Sequence, residues 1–286
     1  MTRHMKSKRV LFITQEITPY LPDTDVSLLG RKMPQYVQEK GREIRTFMPK
    51  WGGINERRSQ LHEVIRLSGM NLIIDETDHL LIIKVASIPS ARMQVYFIDN
   101  EDYFMKRLES CDEEGNEYAD NGERAIFYAR GVLETVKKLR WVPDIIHCQG
   151  WISAVAPLYI KTSYREEPSY RDSRIIFTPA GDDLKLPLTQ QFRTNLKFKG
   201  LTDKDLEGFP EDATMMDLYK LALRHSNGML LIESYVNQEL VDYAKELGLP
   251  IFGPVDMTSP DASTQVVDYF DSIWSEGKTP IEDPDL

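Results

Sequence analysis

The stretch RVLFITQEITPYLPDTDVSLLGRKMPQYVQEKGREIRTFMP, residues 9–49, decides the fold. Its first six residues, RVLFIT (9–14), form a continuous apolar run with no polar alternation, the pattern of a strand buried on both faces. Leu28, Leu29, Met33, Tyr36 and Val37 then recur at helical spacing, and Gly41 ends the pattern. EIRTFMP (43–49) reads as a second strand. Strand, helix and strand in this order make a βαβ unit, which requires parallel strands and a right-handed crossover. The class is therefore α/β, a single Rossmann-like, doubly wound and mostly parallel sheet.

Further along the chain the texture changes and then returns. HEVIRL, MNLIID, HLLIIKVAS and MQVYFID, within 61–98, are strand-like runs separated by polar turns, and they predict an antiparallel hairpin region. An acidic loop (109–120) precedes an amphipathic helix from Arg124 to Arg140 and a strand ending at HCQGWISAVAPLY (147–159). Alternation continues with RIIFT, a helix near Met215 to His225, the strand GMLLIE, a helix from Val236 to Leu247, and LPIFG. The expected division is a Rossmann-like domain over 1–258, then a C-terminal helix and acidic tail over 259–286. SEGKTPIEDPDL, proline-rich and acidic, predicts a mobile tail.

With 35 basic and 45 acidic side chains the 286-residue chain carries a formal net charge of −10. That balance disfavours nucleic acid and anionic membrane as partners, since both require clustered Lys and Arg. The two cysteines, Cys111 and Cys148, support neither a disulfide framework nor a four-ligand zinc site, and a reducing cytoplasm fits. The apolar run near the basic N-terminus is broken too early for a signal core or a membrane span.

An open parallel sheet places its ligand at the C-terminal ends of its strands, and that rule draws attention to Glu16, His147 and Trp151. Glu16, just after the first strand, has a carboxylate suited either to a ligand hydroxyl or to nearby backbone N–H groups. Asp120, Asn121 and Arg124 open a helix, where Asp120 is placed to cap it and Arg124 lies one turn on. His147 is either a ligand-binding residue at a strand end or a satisfied core histidine, and Trp151 either stacks on a ligand or packs. No metal site is expected, because Cys148 neighbours His147 but alternates to the opposite strand face. The acidic loop reads as solvated surface, and WGGINERR (51–58) as a turn.

QEITPY (15–20), VYFIDNEDYF (95–104), YADNGERAIFYARGVLE (118–134), WVPDIIHC (141–148) and APLYIK (156–161) together resemble the first domain of bacterial glycogen synthases and plant starch synthases. Agreement is weaker through SNGMLLIESYVNQEL (226–240). The resemblance implies one half of a two-domain GT-B glycosyltransferase, a family that moves glucose from a nucleotide sugar to a glucan. It also exposes departures. Where the family has K-T-G-G-L, this chain has Pro22-Asp23-Thr24-Asp25-Val26. H-x-H-D-W-H keeps only His147 and Trp151, with Gln149, Gly150 and Ile152 at the other positions, and T-I-H-N becomes Thr178-Pro179-Ala180-Gly181. A phosphate cradle needs a cation and close backbone N–H groups, and Pro22 supplies neither.

The resemblance with these losses implies a catalytically degenerate domain, ending near where the family's second domain starts, with a binding or regulatory role in glucan metabolism. No residue is assigned a catalytic role and no cofactor is expected. Glu16, Asp120, Asn121, Arg124, His147 and Trp151 are the candidate ligand-binding residues for a glucan or nucleotide sugar. Two alternatives stand beside this reading: a glucosyltransferase completed by a partner chain, and a structural subunit that forms homo-oligomers through the face a second domain would cover.

Overall fold

A computed structural model describes residues 7–181 and 183–276. Strand β1 (Arg9–Ile13), helix α1 (Asp25–Glu39) and β2 (Glu43–Pro49) form the expected βαβ unit, with Val10 opposite Ile44 and Phe12 opposite Thr46 in parallel register. β3 (His62–Glu63), β4 (Met70–Ile74), β5 (Thr77–Ile88) and β6 (Met93–Asp99) follow. Then come α2 (Asn121–Lys138), β7 (Ile145–Gln149), α3 (Ala156–Lys161), β8 (Arg174–Thr178), α4 (Gln190–Asn195), α5 (Met215–Arg224), β9 (Gly228–Ile232), α6 (Gln238–Glu246), β10 (Ile251–Val255) and α7 (Ala262–Ser275). The sheet order is β10-β9-β8-β7-β1-β2-β6-β5-β3, with β4 paired to β5.

The segment 61–98 is antiparallel as expected through β3, β4, β5 and the β5–β6 pair. Its last strand departs from that description, for β6 also runs parallel to β2, joining the hairpin region to the main sheet. Its two edges serve the two partners, and Val95, Phe97 and Ile98 are fully buried, as befits a strand inside the sheet.

Strand side chains alternate between two apolar layers. Leu11, Ile13, Ile146, Cys148, Ile175, Phe177, Met229 and Leu231 point toward α2, α3, α5 and α6. Val10, Phe12, Ile145, Ile176, Leu230 and Ile232 point toward α1 and α7. Each such side chain, fully buried, contributes roughly 1.5–3 kcal/mol. Helix α7 brings Val266, Val267, Phe270 and Ile273 into the second layer. Its Asp271 carboxylate accepts from the Ser7 N–H and hydroxyl, both at 2.8 Å, and pairs with Arg42 at 2.6 Å. The proline-rich tail expected from Ser275 lies, from 277 onward, outside the described residues. Among the described residues no helix is long and apolar enough to cross a membrane.

Candidate functional site at the strand ends

The chain leaves β1 for β2 on one side, and β7 is the neighbour of β1 on the other, so the topological switch point lies between β1 and β7. Crevices that take ligands in such sheets open there, beyond the strand C-termini. In this protein the crevice is closed by side chains of its own two strands. Gln15, 1% exposed, follows β1, and its Oε1 accepts the Trp151 N–H at 3.1 Å. Its Nε2 donates to Glu16 Oε1 at 3.1 Å and to Asp183 Oδ2 at 3.0 Å. The carbonyls at this strand end are also spoken for: Tyr128 Oη donates to Thr14 O at 2.8 Å, and Trp51 Nε1 to Gln15 O at 2.8 Å.

On the β7 side, Gly150 has φ of +76°, a left-handed conformation that side chains other than glycine adopt only at a cost. A Cβ built there would sit 2.2 Å from Gln15 Oε1, 2.9 Å from its Cδ and 3.0 Å from its Cβ. The space above Gly150 is therefore already filled by Gln15. Gln149, fully buried, donates to Val26 O at 2.9 Å and ties β7 to α1.

Helix α1 begins at the same edge, where free backbone N–H groups and the helix dipole favour an anion. Thr24 caps it and exchanges hydrogen bonds with Ser27 in a capping box. Thr24 Oγ1 donates to Glu16 Oε2 at 2.9 Å, Thr18 Oγ1 donates to Asp23 Oδ1 at 2.5 Å, and Asp25 occupies the first turn. Three carboxylates thus lie at or just before the N-terminus of α1. Burial raises the Glu16 carboxyl above its usual range, an effect that hydrogen bonds from Gln15 and Thr24 offset and Glu109 adds to.

The remaining sequence candidates do not converge on this point. Arg124 is fully buried and spends its guanidinium on backbone carbonyls: Nε donates to Tyr103 O at 3.0 Å, Nη1 to Glu109 O at 2.5 Å, and Nη2 to Leu108 O at 2.6 Å. Nη1 also donates to Asn121 Oδ1 at 2.8 Å, and the cation lies over the Trp51 and Tyr118 rings. Burial, with Arg107 nearby, pulls its pKa down to about 9. Asn121 returns an Nδ2 hydrogen bond to Ser110 O at 2.9 Å. Asp120 occupies the N-cap position of α2, yet its side chain makes no capping bond. That expectation is corrected: both its oxygens face Arg107, and although burial alone would raise the carboxyl, the guanidinium holds it below the usual range.

His147 is 1% exposed; its Nε2 meets Thr178 Oγ1 at 2.8 Å and its ring packs between Phe12 and Phe270. Burial lowers its pKa to about 3. Trp151 is fully buried beside Trp51, ring centroids 6.3 Å apart. Of the six residues only Glu16, half-buried, and Asp120 keep any opening to solvent. The acidic loop is more ordered than a solvated surface implies. Asp112 accepts the Glu114 and Asn116 N–H groups, and Glu117 Oε2 accepts those of Lys185 and Leu186. The turn after Trp51 is also a packing contact, since a Cβ on Gly52 would fall 2.6 Å from Arg107 N.

The sequence matches the family described as starch synthase catalytic domain over residues 9–250. The chain belongs to that family. It is 37% identical over 171 residues to the glycogen synthase of Pelodictyon phaeoclathratiforme and 38% identical over 171 residues to that of Chlorobium phaeobacteroides. Each match covers 59% of this chain and 35% of the relative, so the chain matches about a third of the length of these relatives. Among solved structures it is similar to the catalytic domain of starch synthase IV from Arabidopsis thaliana bound to ADP and acarbose. That match has a TM-score of 0.67 and 17% identity, and covers 87% of this chain and 51% of the other. This likeness establishes the fold, one half of the GT-B glycosyltransferase arrangement.

Within the starch synthase family pattern, the departures now have locations. Pro22 is exposed on the loop before α1. The H-x-H-D aspartate position is Gly150, whose side-chain space holds Gln15. Ala180, in place of the T-I-H-N histidine, is fully buried, and its carbonyl accepts from Tyr219 Oη at 2.8 Å. Gln15 and Asp183 were not among the sequence candidates. A glutamine carries no ionisable group to attract notice, and Asp183 comes from a loop 168 residues away. The one available signal was the pairing of a larger residue at 15 with glycine at 150. Beside the closed crevice a cleft of about 350 Å³ remains, lined by Asp25, Leu28 and Lys32 of α1, by Val255 at the end of β10, and by Glu233 and Met257 just beyond β9 and β10.

Proposed function

We propose that this chain is a catalytically degenerate member of the starch synthase catalytic domain family, retained for binding or regulation in glucan metabolism. The observation that carries the reading is the closed switch point: Gln15 fills the space above Gly150 and joins the two strand ends. Glycosyl transfer requires preorganised charge around both the sugar and the departing diphosphate. At the N-terminus of α1, Glu16, Asp23 and Asp25 present the sign of charge that repels a diphosphate. At an effective dielectric of about 20, like charges about 4 Å apart repel by roughly 4 kcal/mol, more than one surviving hydrogen bond to a charged group returns at about 1.5–3 kcal/mol.

A neutral glucan meets no such penalty, because its hydroxyls donate to carboxylates such as Glu16. Isothermal titration calorimetry with ADP-glucose and with maltooligosaccharides tests the reading. Binding of the oligosaccharide without saturable binding of ADP-glucose supports it; tight ADP-glucose binding contradicts it and favours a glucosyltransferase completed by a partner chain. A chain that binds neither and forms stable oligomers would instead be a structural subunit.

A further inference from the structure

Gln15 and Gly150 lie 135 positions apart in sequence and share one volume. The clash that a Cβ at 150 would create involves the Gln15 Cβ as well as its amide tip. Rotating the amide away relieves the collision only by abandoning the Trp151 N–H and both carboxylates, and it leaves the Cβ at 3.0 Å in tight contact. A side chain on residue 150 requires a small residue at 15, and a glutamine at 15 requires a bare residue at 150. The same amide nitrogen lies within hydrogen-bond distance of Glu16 and of Asp183, so it also fixes where those two carboxylates sit.

The geometry points to Gln15 as the positioning and specificity-determining residue of the strand-end site: with Gly150 it forms a matched pair that shuts the crevice between β1 and β7 and holds Glu16 and Asp183 side by side at its mouth. The consequence for specificity, that a ligand contacts the rim and not the crevice, rests on the binding role proposed above. The matched pair itself does not.

The test uses the full chain with Gln15→Ser, which removes the plug, Gln15→Leu, which keeps the bulk and loses the hydrogen bonds, and Gly150→Ala. Thermal unfolding is followed for each single variant and for both doubles. In the native background Gln15→Ser lowers the melting temperature, since the Trp151 N–H loses an acceptor and each of the two carboxylates loses a donor. In the Gly150→Ala background the same substitution raises it, because the collision is relieved, while Gln15→Leu does not. Carbon-13 NMR supplies a readout that bulk alone does not move: the Glu16 carboxyl titrates at higher pH in both Gln15 variants than in the native chain, having lost a donor. A lowering by Gln15→Ser of equal size in both backgrounds, or an unmoved Glu16 titration, overturns the assignment. If the sign reversal holds and no oligosaccharide binds, only the binding role fails.

Discussion

His147 illustrates how burial decides between two uses of one residue. Enclosed by Phe12, Phe270 and the Thr178 hydroxyl, it stays neutral down to about pH 3. In the unfolded chain it takes up its proton near pH 6.5. The folded pKa lies below the unfolded one, so the unfolded state binds more protons between these values. Stability is full above about pH 6.5 and falls as the pH drops through this interval. One such proton changes stability by about 1.4 kcal/mol per pH unit. His147→Gln removes that titration, and urea unfolding between pH 6 and pH 4 should show a slope shallower by about this amount, with His225 still titrating in both proteins. An unchanged slope would place the ring in solvent and reopen a ligand role. Nothing in the sequence separated the two uses, because a strand-end histidine has the same local pattern in either.

Helix α2 was legible from its amphipathic repeat, but the work done at its first turn was not. Asp120, Asn121 and Arg124 are adjacent in sequence, whereas their partners are Arg107 and the carbonyls of Tyr103, Leu108, Glu109 and Ser110, on a loop whose path no periodicity specifies. Arg124 acts as a clasp that fastens this loop to the helix. Lysine offers a point charge instead of a planar fork and cannot reach all of these acceptors. Arg124→Lys should therefore cost at least about 2 kcal/mol of stability, given about 1.5–3 kcal/mol for each hydrogen bond to a charged group. Hydrogen exchange in residues 103–110 should quicken more than in β1 or β7. Uniform quickening, or none, would contradict the clasp. The strands show the same division: runs of apolar residues identified β4, β5 and β6, while the parallel partnership of β6 with β2 depends on a neighbour 49 positions away and has no local signature.

For the whole molecule, the βαβ start and the alternation that follows it were enough to give the parallel sheet, because apolar periodicity records which faces are buried. The state of the site was legible only in part. Pro22, Gly150 and Ala180 could be read as departures from the pattern that the resemblance supplies, but closure of the crevice arises from Gln15, Trp151 and Asp183, which meet only once the sheet has assembled. A scaffold of this family thus holds its shape while its strand ends bond to one another. The most direct measurement is incorporation of labelled glucose from ADP-glucose into a maltooligosaccharide by the purified chain alone. No transfer above the protein-free control is the expected result; sustained transfer that follows enzyme concentration would contradict a closed and degenerate site.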